Sequence, residues 1–325
     1  MKKNIAVLMG GYSSEFEISI KSGQVVYKHL DTDTYNAYQV IIAKEEWVCL
    51  DKDDTKYTIN KDDFSATINN EKITFDCVFN TIHGTPGEDG HMQGYFALLN
   101  IPQTSCEMYQ SALTFNKRDT LSVLKPYGIN CAKSYYINKG DHIDENAIIE
   151  TVGLPCFVKA NKAGSSFGVS KVHQKEDLAK AIEVAFTEDD EILIESFLDG
   201  IEVSVGVINY NGKTLVLPPT EIVSENDFFD YEAKYLGKSQ EITPARISEC
   251  DIEAVSKEAK RIFEILQMSG FTRSDFIFHQ GKPHFIEMNT TPGLSEESIL
   301  PQQALCAGIS LANLFGNAVE MALKK

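Results

Sequence analysis

The sequence predicts a mixed α/β protein in three parts: an N-terminal α/β domain with a parallel sheet (1–105), a central unit (106–196) and a C-terminal unit (197–325). Three observations point to this class. In the first hundred residues, strand, glycine-rich loop and helix recur in that order, the pattern of a parallel sheet. Beyond that, amphipathic helices mix with short β-rich runs. A chain of 325 residues with 43% hydrophobic content can also build two or three cores.

Taken in order, "NIAVLM" reads as a buried strand and "GGYSSE" as its loop. Ser14-x-x-Glu17 predicts a capping box for a helix running to about Leu30. "AYQVII" and "CVFNTI" read as further strands, and "SATINNEKITF" as a hairpin around Asn69-Asn70. "HGTPGEDG" is a second glycine-rich loop, followed by the helix "HMQGYFALLN". In the middle, helices fit "YQSALTFN", "KRDTLSVLKPY" and "KEDLAKAIEVAF"; strands fit "KSYYIN", "CFVKAN", "GVSKVH" and "EILIES". The last part opens with the strands "EVSVGVIN" and "KTLVLPPTEIV", then an irregular segment at about 225–246. The helix "DIEAVSKEAKRIFEILQMSG" is expected to stop at a glycine cap, before two more strands and a helical tail. Gly-Lys-Thr in "YNGKTL" is not a phosphate loop, because position 207, where the first glycine would stand, is valine; Asn211-Gly212 reads as a hairpin turn.

A net charge of −17 argues against a nucleic-acid partner and against a polybasic membrane anchor. The apolar run after Lys3 is at most six residues and ends in Gly-Gly, too short for a signal peptide, and no run of about 18 apolar residues offers a membrane span. Seven scattered cysteines without Cys-x-x-Cys spacing fit reduced core residues of a cytoplasmic protein.

Chemistry concentrates in "RSDFIFHQGKPHFIEMN". Folded back near Gln280-Gly281, it brings Asp275 to within about one residue of Glu287, so Arg273, Asp275, Glu287 and Asn289 can cluster at one strand end. Two carboxylates and an amide oxygen suit Mg²⁺ that also holds phosphate oxygens, and a neighbouring arginine would stabilise charge on a transferred phosphoryl group. A solvated hairpin with a surface salt bridge is an equal alternative on this segment alone. "PCFVKANKAGSSFGVSKV" carries Lys159, then Lys162, Gly164, Ser165, Ser166 and Gly168, a loop able to meet phosphates or simply a flexible hairpin. "EILIESFLDGIEVSV" places Glu195 at a strand end and Glu202 seven residues on, where an adenine could sit on the connector; surface carboxylates are the bland reading.

In order, these segments resemble the ATP-grasp superfamily, specifically the D-alanine–D-alanine ligases. The resemblance spans almost the whole chain and rests on "GGYSSEFEIS", "HGTPGEDGHMQG", "NKRDT", "VKANKAGSSFGVSKV", "LIESFLDGIEVSV", "FDYEAKY", "RSDF" and "EMNTTPGLSEESILP". It implies an ATP-grasp fold: an N-terminal domain before two ATP-grasp subdomains. It implies ATP-dependent joining of two D-alanines through an acyl phosphate, for peptidoglycan precursors, with two Mg²⁺ (or Mn²⁺) ions and a homodimer.

Residue by residue, the resemblance assigns Lys117 and Lys159 to the ATP phosphates, with Ser165 and Ser166 closing over them. Glu195, Ser196, Phe197 and Leu198 become the adenine hinge and Glu202 the ribose contact. Asp275, Glu287 and Asn289 hold the metals, while Arg273 and the Gly293 N–H stabilise the tetrahedral intermediate. Glu15 holds the ammonium of the first D-alanine and forms a triad with Ser165 and Tyr235; His83 lies near the same substrate, and Ser298 meets the second carboxylate. The segment at about 225–246 reads as a lid carrying Lys234 to the phosphates. Three positions depart from the common pattern without removing a needed group: Ser274 inside Arg-x-Asp, Phe197 for a tryptophan, and Ala160 for a proline. Competing readings are a ligase making D-alanyl-D-lactate or D-alanyl-D-serine, another ATP-grasp carboxylate–amine ligase, and a non-catalytic relative. The last would be expected to lose some of Lys117, Lys159, Arg273, Asp275, Glu287 and Asn289, and all six are present.

Overall fold

A computed structural model describes residues 2–164, 168–224 and 239–324. The expected roles of Ser165, Ser166, Lys234 and Tyr235, and most of the expected lid, lie outside the described residues.

The first sheet has the order β6-β5-β4-β3-β2-β1-β7, with β1 Lys3–Gly10, β2 Tyr35–Ile42, β3 Trp47–Leu50, β4 Lys56–Asn60, β5 Ser65–Ile68, β6 Glu71–Ile73 and β7 Cys77–Asn80. Only β2, β1 and β7 are parallel; the strands from β2 to β6 pair antiparallel, which corrects the expectation of a parallel sheet. The reason is connection length: parallel pairing needs a crossover of a dozen or more residues, and the links after β2 are short turns. The Asn69-Asn70 turn forms as expected, with φ of 51° and 67°. The crossover from β1 is α1 (Phe16–His29). Its N-cap is Glu15 and it has no capping box; Ser13 Oγ instead donates to the His83 carbonyl and accepts the Glu15 N–H. Helix α2 (His91–Leu99) follows β7.

Because β1 is flanked by β2 and β7, the loops leaving the carboxyl ends of β1 and β7 meet at a switch point, where open α/β sheets place ligands. The Tyr12 N–H bonds the Thr85 carbonyl at 2.8 Å and joins the two loops.

The second sheet is antiparallel, β10-β9-β11-β8, from β8 Ser134–Asn138, β9 Cys156–Ala160, β10 Ser170–Val172 and β11 Glu191–Ser196. Cys156, Val158, Ile192 and Ile194 pack on α5 (Glu145–Val152) and α6 (Leu178–Ala185). Strand alternation then turns Lys159 and Glu195 to the opposite face.

The third sheet has the order β15-β14-β12-β16-β17, with β13 also on β12. Its strands are β12 Gly200–Tyr210, β13 Lys213–Val216, β14 Thr220–Ser224, β15 Ser239–Ile242, β16 Phe271–His279 and β17 Lys282–Asn289. "KTLVLPPTEIV" is therefore two strands, split where Pro218-Pro219 lacks ladder donors. The expected irregular segment contains strand β15, paired with β14. Val203, Val205, Val207, Phe276 and Phe285 pack against α7 (Glu249–Ile265) and against Leu121 and Leu124 of α4 (Lys117–Leu124), which follows α3 (Met108–Phe115). The end of α7 corrects the expected glycine cap: Gln267 takes the left-handed conformation at φ 52°, and the Met268 N–H returns to the Phe263 carbonyl at 2.9 Å.

Helices α8 (Ile299–Cys306) and α9 (Leu311–Ala322) close the chain. Leu300, Leu314, Phe315 and Val319 share one core with Val7, Met9 and Phe79 of the first sheet. This packing seats the N-terminal loops against the carboxyl end of β17. Among the described residues no single helix is long and apolar enough to cross a membrane. Cysteines 49, 77, 106 and 156 are buried as expected, whereas Cys250 and Cys306 are exposed.

Candidate active site

The β16–β17 hairpin turns at Gln280-Gly281, with φ of 51° and 74°. Regular pairing from that turn would set Asp275 opposite Ile286. A bulge between Asp275 and Phe276 adds one residue on β17, so Asp275 faces Glu287 and Arg273 faces Asn289. The bulge is what gathers the four polar groups on one face, while Phe276 and Phe285 stay in the core behind them. Arg273 donates to both Asp275 oxygens, at 3.0 and 2.9 Å. Ser204 Oγ donates to the same carboxylate at 2.6 Å and Asn289 Nδ2 at 3.3 Å. Burial disfavours the Arg273 cation, yet Asp275 and Glu287 outweigh it and raise the guanidinium above its ordinary value. The surface salt-bridge alternative fails on burial, for Asp275 is only 7% exposed.

This face looks across an open cleft at the second sheet. Lys117, Lys159, Glu195, Glu202, Asp275 and Glu287 supply its polar lining; Phe157, Leu198, Ile277 and Ile286 are among its apolar walls. Lys159 Nζ lies 2.8 Å from Glu195 Oε2. Burial pulls the Lys159 ammonium down, but Glu195, Glu287 and Glu202 together carry it above its usual value, so it stays charged. Lys117 opens α4 and donates to the Ala163 carbonyl at 2.7 Å, with Glu287 Oε2 at 3.2 Å. Buried Asn161 holds the two lysine-bearing elements together: its Oδ1 accepts the Arg118 N–H at 2.9 Å, and its Nδ2 donates to Asn116 and Glu191. At the hinge, the N–H groups of Ser196 and Phe197 bond the carbonyls of Lys133 and Pro155. Lys171 Nζ lies 4.6 Å from the Phe197 ring centroid.

Beyond the hairpin the N-terminal loops border the site. Glu15 approaches Gly164 so closely that a Cβ there would lie 2.8 Å from Glu15 Oε2. His83 is buried, 6% exposed, with Nε2 3.3 Å from Ser22 Oγ. Ser22 Oγ also accepts the Leu294 N–H at 3.1 Å. Burial lowers the His83 pKa; Arg273 adds to that, and Glu15 and a Thr291 backbone hydrogen bond only partly oppose it. His83 is thus neutral near pH 7. A Cβ on Gly293 would meet Ser298 Oγ at 2.8 Å, and Ser298 stands at the N-cap position of α8 with its hydroxyl on Ser295 Oγ at 2.8 Å.

Several residues here carry no sequence signal of their own. Ser22, Asn161 and Ser204 are ordinary polar residues whose partners are distant in the chain. Glu88 stands within "HGTPGEDG", where an acid inside a glycine-rich loop was a usable hint. Its Oε2 accepts the Gly84 N–H at 3.1 Å, and Oε1 accepts those of Thr290 and Thr291 at 3.2 and 3.3 Å. Burial and the nearby Glu15 carboxylate push its pKa up to about 7, against the pull of those N–H groups. The unfolded carboxyl titrates near 4.5, so between that value and about 7 the folded chain binds the extra proton. The stabilisation is present in full below the lower value and is lost as pH rises through the upper one. Urea unfolding of wild type against Glu88→Gln should show the difference moving against wild type by up to about 3 kcal/mol from pH 4.5 to 8. A difference that does not change with pH would contradict this account.

Two sheets gripping a deep cleft, with cations from one side facing carboxylates from the other, define an ATP-grasp enzyme. Comparison with known proteins makes this specific. Residues 4–106 match the family model "D-ala D-ala ligase N-terminus" and residues 123–320 match "D-ala D-ala ligase C-terminus". A D-alanine–D-alanine ligase of Flavobacterium johnsoniae is 64% identical over 321 residues, covering 99% of both chains. One from Christiangramia forsetii is 63% identical over 325 residues, all of both chains. Among solved structures, D-alanyl-alanine synthetase A from Vibrio cholerae superposes with a TM-score of 0.90 at 27% identity, over 100% of this chain and 99% of that one. The VanG D-Ala:D-Ser ligase from Enterococcus faecalis gives 0.87 at 31%, over 99% and 100%. A Bacillus anthracis D-alanine–D-alanine ligase complexed with ATP gives 0.79 at 26%, over 99% and 97%. The chain belongs to the D-alanine–D-alanine ligase family.

Proposed function

We propose that this protein joins two D-alanines into D-alanyl-D-alanine, using ATP and releasing ADP and phosphate, for peptidoglycan precursor synthesis. The observation that carries the reading is the cleft itself, where Lys117 and Lys159 face Asp275 and Glu287 across a space suited to a nucleotide. A carboxylate is a poor electrophile. Moving the γ-phosphate onto the first D-alanine creates an acyl phosphate, and attack by the second, neutral amine then expels phosphate. Positioning and charge neutralisation supply most of the rate in such a reaction, and water must be kept from the intermediate.

In this reading Lys117 and Lys159 hold phosphates and Glu202 holds the ribose. Ser196 and Phe197 N–H groups are already engaged, so adenine is read by the Leu198 N–H and a hinge carbonyl. Asp275, Glu287 and Asn289 are all oxygen donors; Asn289 gives its Nδ2–H to Asp275 and keeps Oδ1 for a cation, a set that fits Mg²⁺ or Mn²⁺. Arg273, Lys117 and Lys159 do not exceed the carboxylates Asp275, Glu287, Glu195 and Glu202 around the cleft, so a triphosphate of about four negative charges needs divalent ions to neutralise it. Bound there, the ions would offset charge on the transferring phosphoryl group. Glu15 holds the first ammonium, with His83 beside it, Arg273 and the Gly293 N–H meet the developing oxyanion, and Ser298 at the start of α8 takes the second carboxylate.

The three sheets support three domains at 1–105, 106–196 and 197–325, although α4 packs on the third sheet. A homodimer is supported by Leu98, Met108 and Tyr109, at 85%, 53% and 64% exposure, an apolar patch across α2 and α3. Seven free cysteines suit a reducing, cytoplasmic setting.

The test is phosphate release from ATP with D-alanine, L-alanine, D-serine and D-lactate, singly and in pairs. D-alanine alone should drive Mg²⁺-dependent release with D-alanyl-D-alanine as product, and L-alanine should not. Preference for a D-alanine–D-serine or D-alanine–D-lactate pair would move the chain to a sister activity, and equal turnover of L-alanine would refute the reading.

A further inference from the structure

The structure assigns Glu88 as a positioning residue of the ligation site, which clamps the Thr290–Thr291 backbone and so sets the places of Asn289 and Gly293. This rests on the ligase reading above. Among the described residues, the segment between the end of β17 and the start of α8 has no ladder partner: Arg273 with Asn289 is the last pair of the hairpin. Its amides are held instead by side chains from the first domain. Glu88 Oε1 takes the N–H groups of Thr290 and Thr291, and Ser22 Oγ takes that of Leu294. Asn289 lies just before these anchors, and Gly293 lies between them.

Glu88 is itself fixed. Its N–H bonds the Gly84 carbonyl at 2.7 Å, and the neighbouring Gly87 carbonyl accepts Asn80 Nδ2 at 2.7 Å and Gln93 Nε2 at 2.6 Å. Thr290 and Thr291 are buried, so their N–H groups without Glu88 would face no water, and the segment would shift to find acceptors. A shift of about 1 Å in a reacting group costs on the order of 10²-fold in rate. The nucleotide lysines and Glu195 stand on other elements and would not follow. Glu88 therefore acts through the backbone it holds, with no contact to substrate required.

The experiment uses the full chain with ATP, Mg²⁺ and D-alanine, reading kcat, the KM for ATP and Tm. Glu88→Ala should lower kcat about 30- to 100-fold with the KM for ATP within about twofold of wild type. Glu88→Gln keeps one carbonyl oxygen for Thr290 and Thr291 while losing the Gly84 contact, and should recover about tenfold of that loss. Should Glu88→Ala not fold, Glu88→Asp, one methylene too short to span both loops, replaces it with the same expectations. The inference is overturned by a kcat within twofold of wild type, by a KM for ATP that climbs in step with the loss of kcat, or by a Gln variant no better than the Ala one. A wild-type protein that does not turn over D-alanine is a different result: it refutes the ligase reading, and this inference with it.

Discussion

Glu287→Gln is expected to lower turnover by at least about a hundredfold while leaving the fold intact, a loss of about 2.7 kcal/mol or more in transition-state stabilisation. The substitution is nearly isosteric, and the side chain is 23% exposed, so packing is kept. What disappears is a charge. Glu287 faces Asp275 across the bulged ladder and lies 3.2 Å from Lys117. Without it, Arg273, Lys117 and Lys159 face only Asp275, Glu195 and Glu202, and a divalent ion loses an anionic ligand. The weakened Lys117 contact should cost about 1–2 kcal/mol of stability, well short of unfolding the chain. Steady-state turnover across a Mg²⁺ titration, with a thermal melt alongside, separates the two effects. A variant that keeps more than about a tenth of wild-type activity at saturating Mg²⁺, a change under about 1.4 kcal/mol, would show that the hairpin does not hold the ions.

That hairpin also shows how far local pattern reaches. Gln280-Gly281 and the apolar run before it set a register from which Asp275 and Glu287 come within one residue of each other, and this much is readable from the chain. The bulge that closes the last residue is not, because it answers to the packing of Phe276 and Phe285 against α7 rather than to any turn motif. Lys117 and Lys159 were legible as members of ordered blocks, while Asn161, which joins their two elements, looked like any loop asparagine. The antiparallel half of the first sheet could have been inferred from its short links, but the strand–loop–helix rhythm at either end dominated the pattern. Glu88 and Ser22 were the least legible, since their meaning depends on backbone about 200 and 270 residues away. Side chains that bind a ligand bring recurring residue types at recurring spacing. Side chains that hold backbone need only a short polar atom in the right place, and many residue types provide one.

Lys159→Met should produce two separable losses. Lys159 on β9 and Glu195 on β11 form an ion pair of 2.8 Å in which Glu195 is only 4% exposed. Removing the cation leaves a buried carboxylate with an uncompensated charge, a change that typically costs about 3–5 kcal/mol. The same cation faces the place proposed for the ATP phosphates, so the KM for ATP should rise at least about tenfold, or about 1.4 kcal/mol. The double variant Lys159→Met/Glu195→Gln divides these contributions. With both charges gone, the desolvation penalty disappears with the attraction, and stability should return to within about 1 kcal/mol of wild type. The KM for ATP should stay high, because an amide at position 195 offers nothing to a phosphate placed where the ammonium stood. Urea unfolding and ATP saturation curves on the three proteins make the comparison. If the double variant regains wild-type affinity for ATP along with its stability, Lys159 serves only to neutralise Glu195, and the phosphates must be held by Lys117 and the hairpin ions.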